Sequence, residues 1–513
     1  MDTPKPPKEY HSGRIGYRHV LMVLLFFGAI FKQATRVGLS VAMVAMVKPL
    51  GSIQNYNQTT GDNQTILACP ENLSPIQNSS LFSNNITLVN SGYFEWDSKT
   101  QGLLHGAFYY GYLFSQIPGG WLSHRFGSTR PITACSLLIG IVTVLSPFAA
   151  YGSMWLFFIA RVIIGITTGV IFPSIVHLWS EWSPPAERGR LLSGAGSGAQ
   201  LGTVLGMFLS GLLASTFGWE SIFFCFGALQ LLWVIPWVIL ARDSPAAHFK
   251  ISDEERHYIV SSIGKSRSGE KGHRHPIPWL AIFKTVPFYA ILVVEFGHNW
   301  GFYTMLTNLP TYLSNIQHYS LKKNGFLSAL PYLVRWAAIV MVVYAADWLR
   351  SKHFMSVSAL RKTFTTVSFI ITAGALIGLG YAGCNSALAV SLLVLTVGIW
   401  SLNSAGYFLG YVEMSPEFSG VLVSMGNTFG TTTGIIAPYV AGVLTNGPGG
   451  QTIENWRIVF LISAALYLLA AITYALFGSA EQQPWDPTGK NEKVTVKIPD
   501  ESDEEVMFLK PTK

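Results

Sequence analysis

An all-α membrane protein, with about twelve transmembrane helices in two pseudo-symmetric six-helix halves, is the fold class this sequence predicts. Three observations predict it: a scarcity of charge, a recurrence of long apolar stretches, and a weak internal repeat. Charged residues make up 12% of the 513, against roughly a quarter in a soluble globular chain. The mean hydropathy is +0.37, and 15 Trp and 21 Tyr are present. Too few polar groups exist to cover a water-facing surface, so the apolar surface faces lipid. The net charge of +7 is spread in short groups between apolar stretches, which makes them topology determinants and speaks against nucleic acid as a partner.

Stretches of near 20 residues, long enough to cross roughly 30 Å of hydrocarbon, recur with Gly, Pro and charge clusters between them. Approximate spans are 20–47, 101–123, 131–150, 154–180, 191–214, 222–241, 286–313, 325–346, 363–382, 387–411, 420–444 and 457–477. The first contains Lys32 and Arg36 and ends without a small-residue cleavage site, so it reads as a span rather than a signal peptide. If spans alternate, Arg14, Arg18, Arg125, Arg130, Arg188, Arg190, Arg350, Lys352, Arg361 and Lys362 share one side, which the positive-inside rule makes cytosolic. The opposite side receives 51–100, with glycosylation acceptors at Asn57, Asn63, Asn78 and Asn85, and at Asn72 in a context weakened by Pro75. Several acceptors in one polar loop agree with the basic-residue count.

The expected layout is a cytosolic tail at 1–19, a six-helix half at 20–241 with its glycosylated loop, a cytosolic linker at 242–285, a second half at 286–478 and a cytosolic tail at 479–513. The halves repeat one another. Glu187-Arg-Gly-Arg-Leu-Leu-Ser-Gly-Ala-Gly196 aligns with Glu417-Phe-Ser-Gly-Val-Leu-Val-Ser-Met-Gly426, an offset of about 230 residues. Gly119-Gly120-Trp-Leu-Ser-His-Arg125 likewise pairs with Tyr344-Ala-Ala-Asp347-Trp-Leu-Arg350. Duplicated halves imply alternating access by rocking. Of the four cysteines, Cys135 and Cys225 fall in apolar stretches, leaving Cys69 and Cys384 as the loop candidates for pairing. The acidic tail around Asp500-Glu-Ser-Asp-Glu-Glu505 is too polar to bury.

Arg36 lies near the middle of the first span, where an unpaired guanidinium costs about 2.5 to 3.5 kcal/mol on the insertion scale. Its planar fork can bind a carboxylate or phosphate bidentately at the bilayer midplane, or it can belong to a structural ion pair. Lys32, one turn earlier, is expected on the same face. Arg161 is a second cationic contact or a gate residue paired with an acid. His105 either lends a titratable charge to the anion site or is structural. Glu295 and His298, spaced three apart, are coupling candidates for a proton relay, or a local pair that stabilises the helix. Gln200, Asn299, Tyr303, Asn403 and Asn427 are polar groups within spans and candidates for a cavity lining. The runs Gly194–Gly198 and Gly426–Gly434 permit close helix packing. No His/Cys/Asp/Glu spacing marks an enzyme or a metal centre. A non-transporting receptor or scaffold is the rival class, against which stand the duplicated halves and the midplane arginine.

The chain resembles the anion transporters of the major facilitator superfamily that include sialin, the vesicular glutamate transporters and the type I sodium-phosphate cotransporters. The resemblance runs from about Gly16 to Asp486 and rests on Arg36-Val-Gly-Leu-Ser-Val-Ala42, Trp96-Asp-Ser-Lys-Thr-Gln-Gly102, Gly111-Tyr-Leu-Phe-Ser-Gln-Ile-Pro-Gly-Gly120 and Trp182-Ser-Pro-Pro-Ala-Glu-Arg188. Asn299-Trp-Gly-Phe-Tyr-Thr304, Leu309-Pro-Thr-Tyr312, Gly325-Phe-Leu-Ser-Ala-Leu-Pro331 and Glu481-Gln-Gln-Pro-Trp485 extend it. It implies that Arg36 binds the anion, that His105 is the site histidine of the vesicular glutamate branch, and that Arg161 matches an arginine of the fourth span. With Tyr303 and Asn299 taken from the polar cavity-lining candidates, the expected substrate-binding residues are Arg36, His105, Arg161, Tyr303 and Asn299. The implied partners are a small anion, a coupling cation and the lipid bilayer. No cofactor is implied; the coupling ion is sodium or a proton, and an uncoupled potential-driven carrier is the alternative. The chain departs from the family at Ile164 and Thr168, where sialin-like members carry glutamates, and at Gly410-Tyr-Val-Glu-Met-Ser-Pro416. His124 stands where the superfamily's loop after the second span has an acid. Plasma membrane and lysosomal or vesicular membrane are both compatible with the tails.

Overall fold

A computed structural model describes residues 16–48, 69, 92–184, 187–269, 276–352, 354–447 and 450–487. The glycosylation acceptors Asn57, Asn63, Asn72, Asn78 and Asn85 and the acidic tail lie outside these residues. Twelve long helical segments occupy the described chain: α1 (Tyr17–Met46), α2 (Ser98–Phe126), α3 (Thr129–Gly152), α4 (Met154–Trp182), α5 (Arg188–Phe217), α6 (Glu220–Leu240), α7 (Val286–Asn315), α8 (Leu321–Ser351), α9 (Val357–Tyr381), α10 (Ser386–Ile399), α11 (Ser419–Leu444) and α12 (Ile453–Phe477). Local chemistry sets their ends. Asp97, Ser153, Ser356, Asn385 and Thr452 each accept a backbone N–H in the first turn, as N-caps do. Gly127 and Gly218, with φ of 83° and 87°, end α2 and α5 in a conformation that a side chain resists.

Nine of the described helices are long and apolar enough to cross a membrane, α10 counted with its continuation to Met414. The exceptions α2, α7 and α11 are 29, 30 and 26 residues long, so length is not their deficit. They carry the polar residues, among them His105, Gln116, Glu295, His298, Asn299 and Asn427, and they lie where the two halves meet. Polar groups in a span face a bundle interior, not lipid.

The same packing pairs recur in both halves: α1 with α5 and α7 with α11, α2 with α4 and α8 with α10, α3 with α6 and α9 with α12. Across the halves α2 packs on α11 and α8 on α5, two contacts that a two-fold axis through the bundle interchanges. This cross-half packing is tightest at the end that carries the first loop. A Cβ on Gly211 would stand 2.7 Å from the Cα of Gly325, and one on Gly442 would stand 2.4 Å from the carbonyl oxygen of Ser98. Toward the opposite end Gly196 of α5 and Gly420 of α11 have nothing within 4 Å of such a Cβ. On the loop side the α5–α8 and α2–α11 contacts thus bring backbone against backbone across the halves.

The expected span 387–411 is not one helix. α10 stops at Ile399 and continues as 3₁₀ turns at Trp400–Ser404 and Tyr407–Leu409, then a short helix Gly410–Met414. Backbone freed inside a membrane needs partners, and α9 supplies them. Arg361 Nη1 donates to the Ala405 carbonyl at 2.6 Å, Ser368 Oγ donates to Ile399, and Thr365 Oγ1 accepts from the Tyr407 N–H at 2.8 Å. Arg361 also forks onto Glu413, at 2.7 Å from Nη2 and 3.0 Å from Nε.

The tail and linker are more ordered than polar connectors. Asp486 is buried, bonded to Ser415, and the Trp485 indole N–H donates to Thr285 at 2.8 Å. A linker helix, Asp253–Gly269, is fixed to the first half by Arg18, which is fully buried and pairs with Glu187 at 2.7 Å and Glu255 at 3.0 Å. Cys69 and Cys384 form a disulfide, joining the first loop to the α9–α10 connection and so one half to the other.

Candidate functional site

Arg36 sits in α1 inside a collar of aromatic rings. Its guanidinium carbon lies 4.7 Å from the Phe108 ring, 5.0 Å from Tyr109 and 5.7 Å from Tyr303, all within cation–π range. Nη2 donates to Tyr109 Oη at 3.1 Å. No carboxylate pairs with it among the described residues, and Nε is buried without an acceptor. The collar draws on both halves, because Tyr303 of α7 packs against Tyr109 of α2 at 4.6 Å between ring centres.

Arg161 of α4 is buried behind Arg36, and its two terminal nitrogens donate to the carbonyls of Thr35 and Arg36 at 3.4 and 3.3 Å. It braces the α1 backbone; among the described residues no acid pairs with it. Its Nε is also buried without an acceptor. Arg36, His105, Tyr109 and Arg161 share one small cavity with Ser40, Leu306 and Thr307. At about 20 Å³ it holds little more than one water, so in this conformation it leaves no room for an organic acid. A wider opening of about 270 Å³ lies farther toward the loop side, lined by Lys48, Asp97, Gln101, Asn315 and Gln451 among others.

Four expected residues fall elsewhere. Lys32 lines a separate cavity inside the first half with Ser136, Gln230 and Trp233. Although it stands one turn from Arg36 on the same face of α1, the cavity it lines is bounded by α3 and α6 rather than by Arg36's collar. Asn299 donates to the Glu295 carbonyl and carboxylate, both at 2.9 Å, and faces Gly430 of α11, away from Arg36's cavity. Glu295 and His298 are neighbours on α7 but turn to different partners. His298 contacts Asn403 at 3.3 Å and packs against Phe369, Trp400 and Tyr407. Tyr407 stands beside Glu295 as well, which makes it the group between them. Asn427 reaches across the halves to Gln116 at 3.3 Å.

Residues 25–438 match the family model described as Major Facilitator Superfamily. The chain belongs to the Major Facilitator Superfamily. Among curated members of that superfamily it is 37% identical over 468 residues to sialin of Homo sapiens, covering 91% of this chain and 90% of sialin. It is 34% identical over 434 residues to vesicular glutamate transporter 2 of Homo sapiens, covering 84% and 74%. A solved superfamily structure, of a D-xylose-proton symporter, superposes with a TM-score of 0.65 at 15% identity, over 91% of this chain and all 100% of the other. That likeness concerns the fold alone. Membership makes this a multi-pass membrane protein of a transporter family.

One charged group in this superfamily member lies outside the expected set. Arg335, mid-span in α8, answers to the same argument from composition that singles out Arg36, and only its burial among aromatic rings distinguishes it from a helix-end cation.

Proposed function

We propose that this chain is a secondary active transporter that moves small organic anions by alternating access, with Arg36 holding the anion's carboxylate. The observation that carries this is the unpaired, forked cation of Arg36 in an aromatic collar built by both halves. A buried guanidinium without a counter-ion is unfavourable until an anion supplies one, and a ligand touched by both halves can bias which side is open. The names of the relatives, sialin and vesicular glutamate transporter, support a carboxylate-bearing organic anion. Arg161 and His105 line the same cavity. Tyr303 is the contact from the second half.

The coupling ion is a proton carried on Glu295, a buried carboxylate in mid-span that is held by Asn299 and lies beside Tyr407. The loop side is luminal, in a lysosomal or vesicular membrane, and both termini are cytosolic. The Cys69–Cys384 bridge supports this, since disulfides persist in oxidising compartments, and so does the gathering of basic residues at the other end. The alternating-access step parts the α5–α8 and α2–α11 contacts on the loop side, where backbones meet across the halves.

The test is uptake of labelled sialic acid, glutamate and phosphate into proteoliposomes under an imposed proton, sodium or voltage gradient, one at a time. Proton-driven uptake of an organic anion, lost in Arg36→Ala, is the expected result. Sodium-driven phosphate uptake would refute the substrate and the coupling. Voltage-driven uptake without a proton requirement would refute the role of Glu295.

A further inference from the structure

We infer that Arg335 forms a second anion pole in the carboxy-terminal half, so that the transported anion carries two separated negative groups, one for Arg36 and one for Arg335. This deepens the proposed function and rests on its assignment of Arg36.

Arg335 projects from α8 between aromatic walls, with its guanidinium carbon 5.6 Å from the Phe302 ring and 5.8 Å from Trp400. Both Nε and Nη1 are buried and donate to no acceptor, and the buried Tyr332 hydroxyl one turn earlier has no partner either. Three unfilled donors thus converge in one place. A structural arginine in a membrane interior is paired or bound to carbonyls, as Arg361 is to Glu413 and Ala405. Among the described residues, no carboxylate does this for Arg335. Glu295, the buried carboxylate of α7, bonds to Asn299 through Oε1 and leaves Oε2 without a partner, and it makes no ion pair with Arg335. The groups that face Arg335 electrostatically are the hydroxyls of Tyr332, Tyr407 and Tyr467, none of them a carboxylate. Unfilled donors beside rings are the chemistry of a carboxylate site rather than of a cation site.

The position ties this pole to the first. Phe302, under Arg335, and Tyr303, in the collar of Arg36, are consecutive in α7, with ring centres 5.3 Å apart. Two adjacent rings of one helix therefore separate an arginine of the first half from an arginine of the second. A ligand with an anion at each end satisfies both and draws the halves together, whereas a monoanion leaves one guanidinium buried and bare. Discrimination follows from that uncompensated charge.

The experiment uses the purified full-length protein and reads thermal stabilisation by succinate against butyrate and by adipate against hexanoate, pairs matched in length that differ in the second carboxylate. In the wild type a dicarboxylate binds about 10-fold or more tighter than its monocarboxylate. Arg335→Gln removes that preference; Arg335→Lys restores part of it, and Tyr332→Phe weakens it. Equal binding of each pair by the wild type, or an unchanged preference in Arg335→Gln, overturns the second pole. Arg36→Gln separates the two ideas: if it leaves all binding intact, the site assignment of Arg36 is wrong, whereas loss of all binding there with an unchanged preference in Arg335→Gln condemns the second pole alone. A variant that fails to fold is replaced by Arg335→Lys and Tyr332→Phe, whose unaltered preference overturns the proposal equally.

Discussion

Replacing Arg36 with Ala should abolish uptake while hardly changing the stability of the ligand-free protein, and the geometry explains the separation. The guanidinium makes three cation–π contacts, each worth about 0.5–1 kcal/mol and more when desolvated. Against them stands a cost of about 2.5–3.5 kcal/mol for an arginine at mid-span. The two nearly cancel. A bound carboxylate instead gains charge-assisted hydrogen bonds of about 1.5–3 kcal/mol each, and a fork makes two. Losing both lowers kcat/KM for uptake by more than about 100-fold. Arg36→Lys keeps the charge and loses the fork and the stacking, so it should fall between, nearer to Ala. The assay is initial-rate uptake in proteoliposomes, with the melting temperature of the same preparations measured in detergent. A drop of the 3–5 kcal/mol expected on breaking a buried ion pair would mean that Arg36 is structural, and preserved uptake would remove it from the site.

Glu295→Gln should uncouple transport, abolishing proton-driven accumulation while preserving exchange of labelled for unlabelled anion across equal gradients; unchanged proton dependence would refute the coupling role. A protease site placed in the linker after residue 270 should give, after cleavage, one full-size species on a non-reducing gel and two fragments on a reducing gel, because Cys69 and Cys384 bridge the halves; two fragments without reductant would refute the bridge. Glu413→Ala leaves Arg361 buried without its fork and should destabilise the second half by about 3 kcal/mol, read as a lower melting temperature. Arg361→Met with Glu413→Leu should recover most of that loss, and failure to do so would point to the Arg361–Ala405 contact as the stabilising one.

Scarcity of charge and the recurrence of long apolar stretches fix the solvent as lipid and the elements as helices, since no other open structure satisfies its backbone there. The weak repeat around Glu187 and Glu417 announces the duplicated halves, and Arg36 announces itself through the cost of a cation at mid-span. Those features are local or periodic, so a linear string carries them. Partnership is not local. Lys32 and Arg36 are one helical turn apart yet reach different cavities, and Glu295 and His298 share a helix yet bond to Asn299 and Asn403. The break in α10 is invisible in an apolar run, because what makes it tolerable is Arg361, Ser368 and Thr365 on α9. Arg335 shows the division most clearly. Its charge in a span was there to be read in the sequence, but whether it was paired, snorkelling or left bare depended on which side chains α7 and α10 bring against it, and only the packed helices decide that.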